Sequence, residues 1–153
     1  MKIVPADALK DYIGKELGKG AWLEVTQDRI NQFADVTEDH QFIHINEAQA
    51  KPIFGGTIAH GFLSLSLLTK LASTVDGNLV PEGITMGMNY GFNKVRFVNP
   101  VRSGKRIRAV STLKEVDYKG GGRILTNVEY SVEIEGEDKP ALVAEWLTMY
   151  FTG

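Results

Sequence analysis

Cysteine is absent from the 153 residues, and with it disulfides, thiolate nucleophiles and zinc-thiolate sites are excluded. That composition fits a reducing compartment. Long apolar runs are missing too. Nothing approaches the roughly 20 consecutive apolar residues of a membrane-spanning helix, and the opening MKIVPADALKDYIGKELG has no apolar core of signal-peptide length before charge resumes. The expectation is a cytoplasmic protein with no membrane partner. Excess charge of one sign is small: the formal net charge is -2, so no overall field draws the molecule to nucleic acid or anionic lipid. The basic stretches also lack the interleaved aromatics of a nucleic-acid binder.

What remains is ordinary globular material, 43% hydrophobic and 24% charged. A chain of this length buries roughly two thirds of the surface its unfolded form exposes, so residues 1–153 read as a single domain. Charge is unevenly placed along it. Nine of the 19 acids lie at or before Glu47, and six of the 17 Lys and Arg residues lie between Lys94 and Arg108, a local basic patch.

Periodicity gives the elements. Leu9, Tyr12, Ile13 and Leu17 predict a short helix or turn over 7–17, weakened by Gly14 and Gly18. Trp22, Leu23 and Val25 predict a brief strand. Thr26 is placed to cap an amphipathic helix running to Val36, with Ile30, Phe33 and Ala34 on one face. From Thr37 to Gly56 the periodicity vanishes, yet Phe42, Ile43, Ile45, Ile53 and Phe54 are too apolar for a solvated tail, so an ordered loop is expected, with Asn46 capping a short turn. Residues 59–75 carry Phe62, Leu63, Leu65, Leu67, Leu68 and Leu71 almost all the way round and predict one buried helix of about 24 Å.

Strands supply the rest. Asp76 to Gly83 reads as turn, and 84–97 as a strand bent at Gly87 and Gly91. A strand over 105–116 follows. Val128, Tyr130, Val132 and Ile134 alternate with polar neighbours as a half-buried antiparallel strand does. Residues 141–151, apolar on both faces, should lie centrally, and Lys119–Gly122 and Gly136–Pro140 should close hairpins. The fold class is α+β, with the helix segregated on one face of an antiparallel sheet.

All three histidines fall between Phe33 and Leu71, where polar chemistry sits beside the most apolar helical pattern of the chain. Asp39 and His44 are five positions apart in Asp39-His40-Gln41-Phe42-Ile43-His44, and His60-Gly61 opens the apolar helix. This resembles the hydratase motif Gly-Asp-x-Asn-Pro-x-His of the MaoC-like dehydratases, which include the (R)-specific enoyl-CoA hydratases and the nodulation protein N group, with its later His-Gly at the central helix of a hot-dog fold. Glu38 stands at the Gly of that motif and Gln41-Phe42 at its Asn-Pro. A second stretch, Lys94-Val95-Arg96-Phe97-Val98-Asn99-Pro100-Val101-Arg102-Ser103-Gly104, resembles the Val-Arg-Phe-x-x-Pro-Val-x-x-Gly segment of the same family.

The resemblance implies a homodimeric hot-dog domain, a β-sheet wrapped round a buried helix, that hydrates a trans-2-enoyl-CoA to the (R)-3-hydroxyacyl-CoA without a cofactor. Such hydration needs a water deprotonated as it attacks Cβ, a proton delivered to Cα, and charge stabilised on the thioester oxygen. By the same resemblance Asp39 is the base and His44 positions the water and shares its proton; sequence leaves their roles interchangeable. Gly61 would offer its backbone N–H to the oxygen. His60 and Phe42 are read as substrate contacts, and Lys94 and Arg96 as contacts to the phosphates of coenzyme A.

Duller readings stand beside these. Asp39 serves equally to cap a turn, and His44 to satisfy a backbone carbonyl. Strand lysines and arginines are usually a solvated face. His40 and His44 have the i, i+4 spacing of a metal pair, but only a helix presents both rings to one ion, and this segment reads as loop, so no metal is expected. The rival activities are an acyl-CoA thioesterase of the same fold, disfavoured because 61–74 contains no acid, and a non-catalytic acyl-binding module.

Overall fold

A computed structural model describes residues 1–153. In chain order it holds β1 (Lys2–Val4), a 3-10 helix (Ala6–Tyr12), β2 (Glu16–Lys19), β3 (Leu23–Glu24), α1 (Gln27–Thr37), α2 (Phe42–Ile45), α3 (Glu47–Phe54), α4 (Gly61–Ser66), α5 (Leu68–Ser73), β4 (Leu79–Pro81), β5 (Ile84–Phe97), β6 (Arg106–Gly120), β7 (Arg123–Ile134) and β8 (Leu142–Thr152). The main sheet is antiparallel in the order β2-β6-β7-β8-β5, with β3 also on β6, while β1 and β4 form a separate parallel pair.

Alternation along β7 puts Tyr130, Val132 and Ile134 on the same face as Ile107 and Ala109 of β6 and Leu142 and Ala144 of β8. Leu63, Leu68, Leu71, Ala72 and Val75 come down on that face from α4, α5 and the residues after them. Each large apolar side chain so buried contributes about 1.5–3 kcal/mol. The sheet curls because β5 takes three register shifts against β8, one of them between Asn89 and Gly91. Both hairpins and the internal position of β8 are as the sequence reading expects.

Four expectations change. The segment 37–56 is mainly helix: α2 and α3 occupy most of it, with Asn46 capping α3 by accepting the N–H of Gln49 at 3.1 Å. The single long helix is two six-residue helices meeting at Leu67, where the chain stays α-like and the bonds Leu67 N–H to Leu63 and Leu71 N–H to Leu67 bridge the junction. It is not buried all round, since Phe62 is 69% exposed. Finally, β1, β2 and β4 occupy stretches read as turn, helix or nothing; each is three or four residues long, too short for a period to register.

Candidate active site

The site begins where α1 stops. Thr26 caps the helix by accepting the N–H of Arg29 at 3.2 Å, and the helix ends at Glu38, which adopts the left-handed conformation with φ 60°. Glu38 is the one non-glycine residue of the chain with positive φ. That turn delivers Asp39, whose Oδ1 accepts the N–H of Gln41 at 3.3 Å and so starts α2.

His44 sits on α2 and is 6% exposed. Its Nδ1 lies 2.7 Å from the carbonyl oxygen of Ile58. A carbonyl only accepts, so Nδ1 carries the proton, and Nε2 of the neutral ring is left as an acceptor. Burial lowers the proton affinity of this ring below its ordinary 6.5; the Ile58 bond opposes the shift, His60 adds to it, and Asp39 opposes it. The main chain of His44 is held as well: Gln27 of α1 donates Nε2–H to its carbonyl at 2.7 Å, and the Thr57 hydroxyl donates to Oε1 of Gln27.

His60 precedes α4 and is 3% exposed. It donates Nε2–H to the carbonyl oxygen of Asp39 at 3.0 Å, and its Nδ1 is buried without a partner. Its ring stacks on His44, centroids 3.7 Å apart at 25°, and meets Phe33 of α1 at 5.0 Å. One side chain therefore touches both the backbone of Asp39 and the ring of His44. Reactive atoms of Asp39, His44 and His60 lie within 4.8 Å of one another. Such a donor set suits a cation by composition, but stacked imidazoles direct their in-plane lone pairs along nearly parallel planes, which do not converge at the required bond length of about 2.0–2.1 Å.

An apolar cavity of about 440 Å³ opens beside His44, lined among others by Ile43, Phe54, Ile58, Gly61, Phe97 and Val101. The N–H of Gly61 has no acceptor in the chain. A Cβ there would stand 3.0 Å from the ring of Phe97, so only glycine lets that ring close over the start of α4. The structure thus brings Asp39, His44, His60 and Gly61 together. Phe42 opens α2 but does not line the cavity. Lys94 and Arg96 are exposed and alternate with Val95 and Phe97, which places them on the opposite face of β5. Nearby cations are spent on carboxylates: Arg106 with Glu135 at 2.6 Å, Arg108 with Glu133 at 2.7 Å, Lys105 with Glu137 at 3.6 Å. His40 turns away to Asp35 at 2.9 Å, so α2 does not present it beside His44 despite the i, i+4 spacing. Both dull readings are realised: Asp39 does cap a turn and His44 does satisfy a carbonyl. Neither bond uses Nε2 of His44.

The profile of the MaoC-like domain matches residues 9–136. This chain belongs to the MaoC-like dehydratase family. Nodulation protein N of Rhizobium leguminosarum bv. viciae is 48% identical over 139 residues, 90% of this chain and 85% of that protein. The 3-hydroxyacyl-thioester dehydratase Z of Mycobacterium tuberculosis H37Rv is 44% identical over 138 residues, 90% of this chain and 89% of the relative. In fold, the MaoC-like chain overlays the (R)-hydratase from A. caviae with a TM-score of 0.69 at 19% identity, covering 89% of this chain and 94% of that one. Its architecture is the hot-dog fold, an antiparallel sheet curled over a helix. Gln27, Phe33 and Ile58 are the MaoC-like site's contributors that sequence reasoning missed; no spacing rule links them to Asp39 or His44.

Proposed function

We propose that this MaoC-like protein is an (R)-specific enoyl-CoA hydratase, adding water reversibly to a trans-2-enoyl-CoA to give the (R)-3-hydroxyacyl-CoA. The observation carrying this reading is a carboxylate and a neutral imidazole with atoms within 4.8 Å of each other, the imidazole lining an apolar cavity with Nε2 as a bare acceptor. A water held between Asp39 and Nε2 of His44 loses a proton to one of them as its oxygen bonds Cβ. The Cα=Cβ electrons pass toward the thioester carbonyl, whose oxygen takes charge facing the N–H of Gly61, and Cα receives a proton from the pair. General acid–base chemistry of this kind is worth about 10²–10⁴-fold, and one well-aimed N–H about 2.7–4 kcal/mol. The apolar cavity takes the acyl chain. The dehydratase name of the 44% identical relative supports the reaction class.

We also propose a homodimer. The 14-residue strand β5 ends the sheet with one edge unpaired, and Tyr90, Phe92 and Phe97 along it are 63%, 40% and 51% exposed, an arrangement that a second copy would cover.

Incubation of purified protein with crotonyl-CoA and longer homologues, following loss of enoyl absorbance, tests the activity. Turnover is expected, with Asp39→Asn and His44→Ala each lowering it by about 10²–10⁴-fold while acyl-CoA binding persists. Folded protein that turns over no chain length, or release of free CoA in place of hydration, refutes the reading.

A further inference from the structure

The cavity beside His44 has a polar neighbour. A second cavity of about 420 Å³ lies one residue along each of three segments: Phe54, Ile58 and Val101 line the first, and Gly55, Thr57 and Arg102 line the second, joined through the Ile58–Arg102 bridge. No apolar residue lines the second cavity, and Lys105 and Ser103 complete its polar wall.

Its donors are unusually free. Gly55 turns the end of α3 with φ 78° and Gly56 continues at φ 154°. The N–H groups of Gly55 and Ile58 are bonded to Lys51 and Ile43, but those of Gly56 and Thr57, between them, have no acceptor in the chain. Arg102 forms no ion pair, although Lys105, Arg106 and Arg108 all do. Its guanidinium lies across Gly55, with Nη1 3.3 Å from where a Cβ would stand. Glu47 is the single carboxylate on the wall. Successive free amides at a left-handed turn and an unpaired guanidinium fork make a nest suited to a tetrahedral oxyanion.

We infer that this cavity is a phosphoryl-binding cradle, formed by the Gly56 and Thr57 amides with Arg102, that holds a phosphate of the coenzyme A carrier. The assignment rests on the hydratase reading for its ligand, and adds the element that distinguishes coenzyme A from a phosphate-free thioester. Glu47 opposes the anion and sets the affinity below what the guanidinium and amides alone would give.

Calorimetric titration of the full chain with coenzyme A, 3′-dephospho-coenzyme A, pantetheine and inorganic phosphate tests it without requiring turnover. Arg102→Gln should weaken coenzyme A binding about 10- to 100-fold, the range for a charge-assisted contact to a phosphoryl group, and leave pantetheine affinity where it was. Glu47→Gln should tighten coenzyme A binding, an opposite-signed change that misfolding does not produce. The ratio of kcat/KM for crotonyl-CoA over crotonyl-pantetheine should fall at least tenfold in Arg102→Gln. Dephospho-coenzyme A tells which phosphate sits in the cradle: the Arg102 effect persists if it is the diphosphate and disappears if it is the 3′-phosphate. Unchanged coenzyme A affinity in Arg102→Gln, equal loss for pantetheine, or an Arg102 effect on inorganic phosphate alone overturns the proposal. If wild type binds coenzyme A through Arg102 but hydrates no enoyl thioester, the cradle stands and the hydratase reading falls.

Discussion

Glu38→Gly should stabilise the protein, and the expected gain follows from one torsion. Glu38 caps the end of α1 at φ 60°, ψ 19°, where an L side chain costs about 1–2 kcal/mol because Cβ crowds the backbone. Glycine removes that cost but loses about 0.5–1 kcal/mol more backbone entropy on folding, leaving a net gain of about 0.5–1 kcal/mol. A second effect runs alongside: an exposed carboxylate at a helix C-terminus faces the negative end of the dipole, at a cost of about 0.3 kcal/mol upward. Glu38→Ala isolates that part, since alanine drops the charge and keeps Cβ. Denaturant unfolding of all three proteins at one pH gives the comparison, with glycine above alanine by about 0.5–1 kcal/mol, or roughly 1–4 °C in Tm for a chain of this size. Alanine equal to or above glycine would mean the torsion carries no strain, and the account of why glycine suits this position of the motif would fail.

Two further outcomes concern the site. Because His44 holds its proton less tightly than the ordinary 6.5, chiefly through burial, the acid limb of kcat/KM should fall at a pH below 6.5; the stability this neutral ring contributes should be complete above 6.5 and decline as pH drops from 6.5 toward the lowered value, since only the unfolded chain protonates readily there. An acid limb at or above 6.5 contradicts the burial argument. His60→Ala should lower kcat/KM by roughly 3- to 10-fold, the worth of one lost hydrogen bond, and should also move the acid limb upward by uncovering His44. His60→Gln, which keeps a donor for the Asp39 carbonyl and still covers His44, should recover part of the rate and bring the limb most of the way back, and an unmoved limb in His60→Ala would mean that His60 does not set the burial of His44.

How much of this was legible in advance depended on length and on distance along the chain. β5 to β8 run 11 to 15 residues, long enough for a period of two to show and for Gly-rich turns to mark the ends. α2 and α3 span four and eight residues, the second with Pro52 inside it, fewer than the windows in which a 3.6-residue period separates from noise, so they read as loop. The Asp39 and His44 pair was legible because the motif is local. The His60 stack and the Gln27 clamp join residues 16 and 17 positions apart through contacts that only the folded chain creates. Lys94 and Arg96 were drawn toward the site by their place in a family-like segment, and the pleat of β5 puts them on its other face.

The departures from the family motif now have a physical meaning. Gln41 occupies the N-cap of α2 and Phe42 its first helical position, so the Asn-Pro of the motif is a helix start: asparagine caps well, and proline's missing N–H costs nothing there. Gln41 makes no side-chain cap bond, and Glu38 takes a conformation better suited to glycine. The loop nonetheless keeps its shape because it is held from outside, by Gln27 on the His44 carbonyl, by His60 on the Asp39 carbonyl and by Ile58 on Nδ1 of His44. None of these bonds engages Nε2 of His44, and the only bond to the Asp39 carboxylate is the 3.3 Å contact from Gln41. Local capping and tertiary clamping are therefore alternative ways of fixing the same loop, and a chain that relies on the second can lose parts of the first without disturbing the atoms assigned to the chemistry.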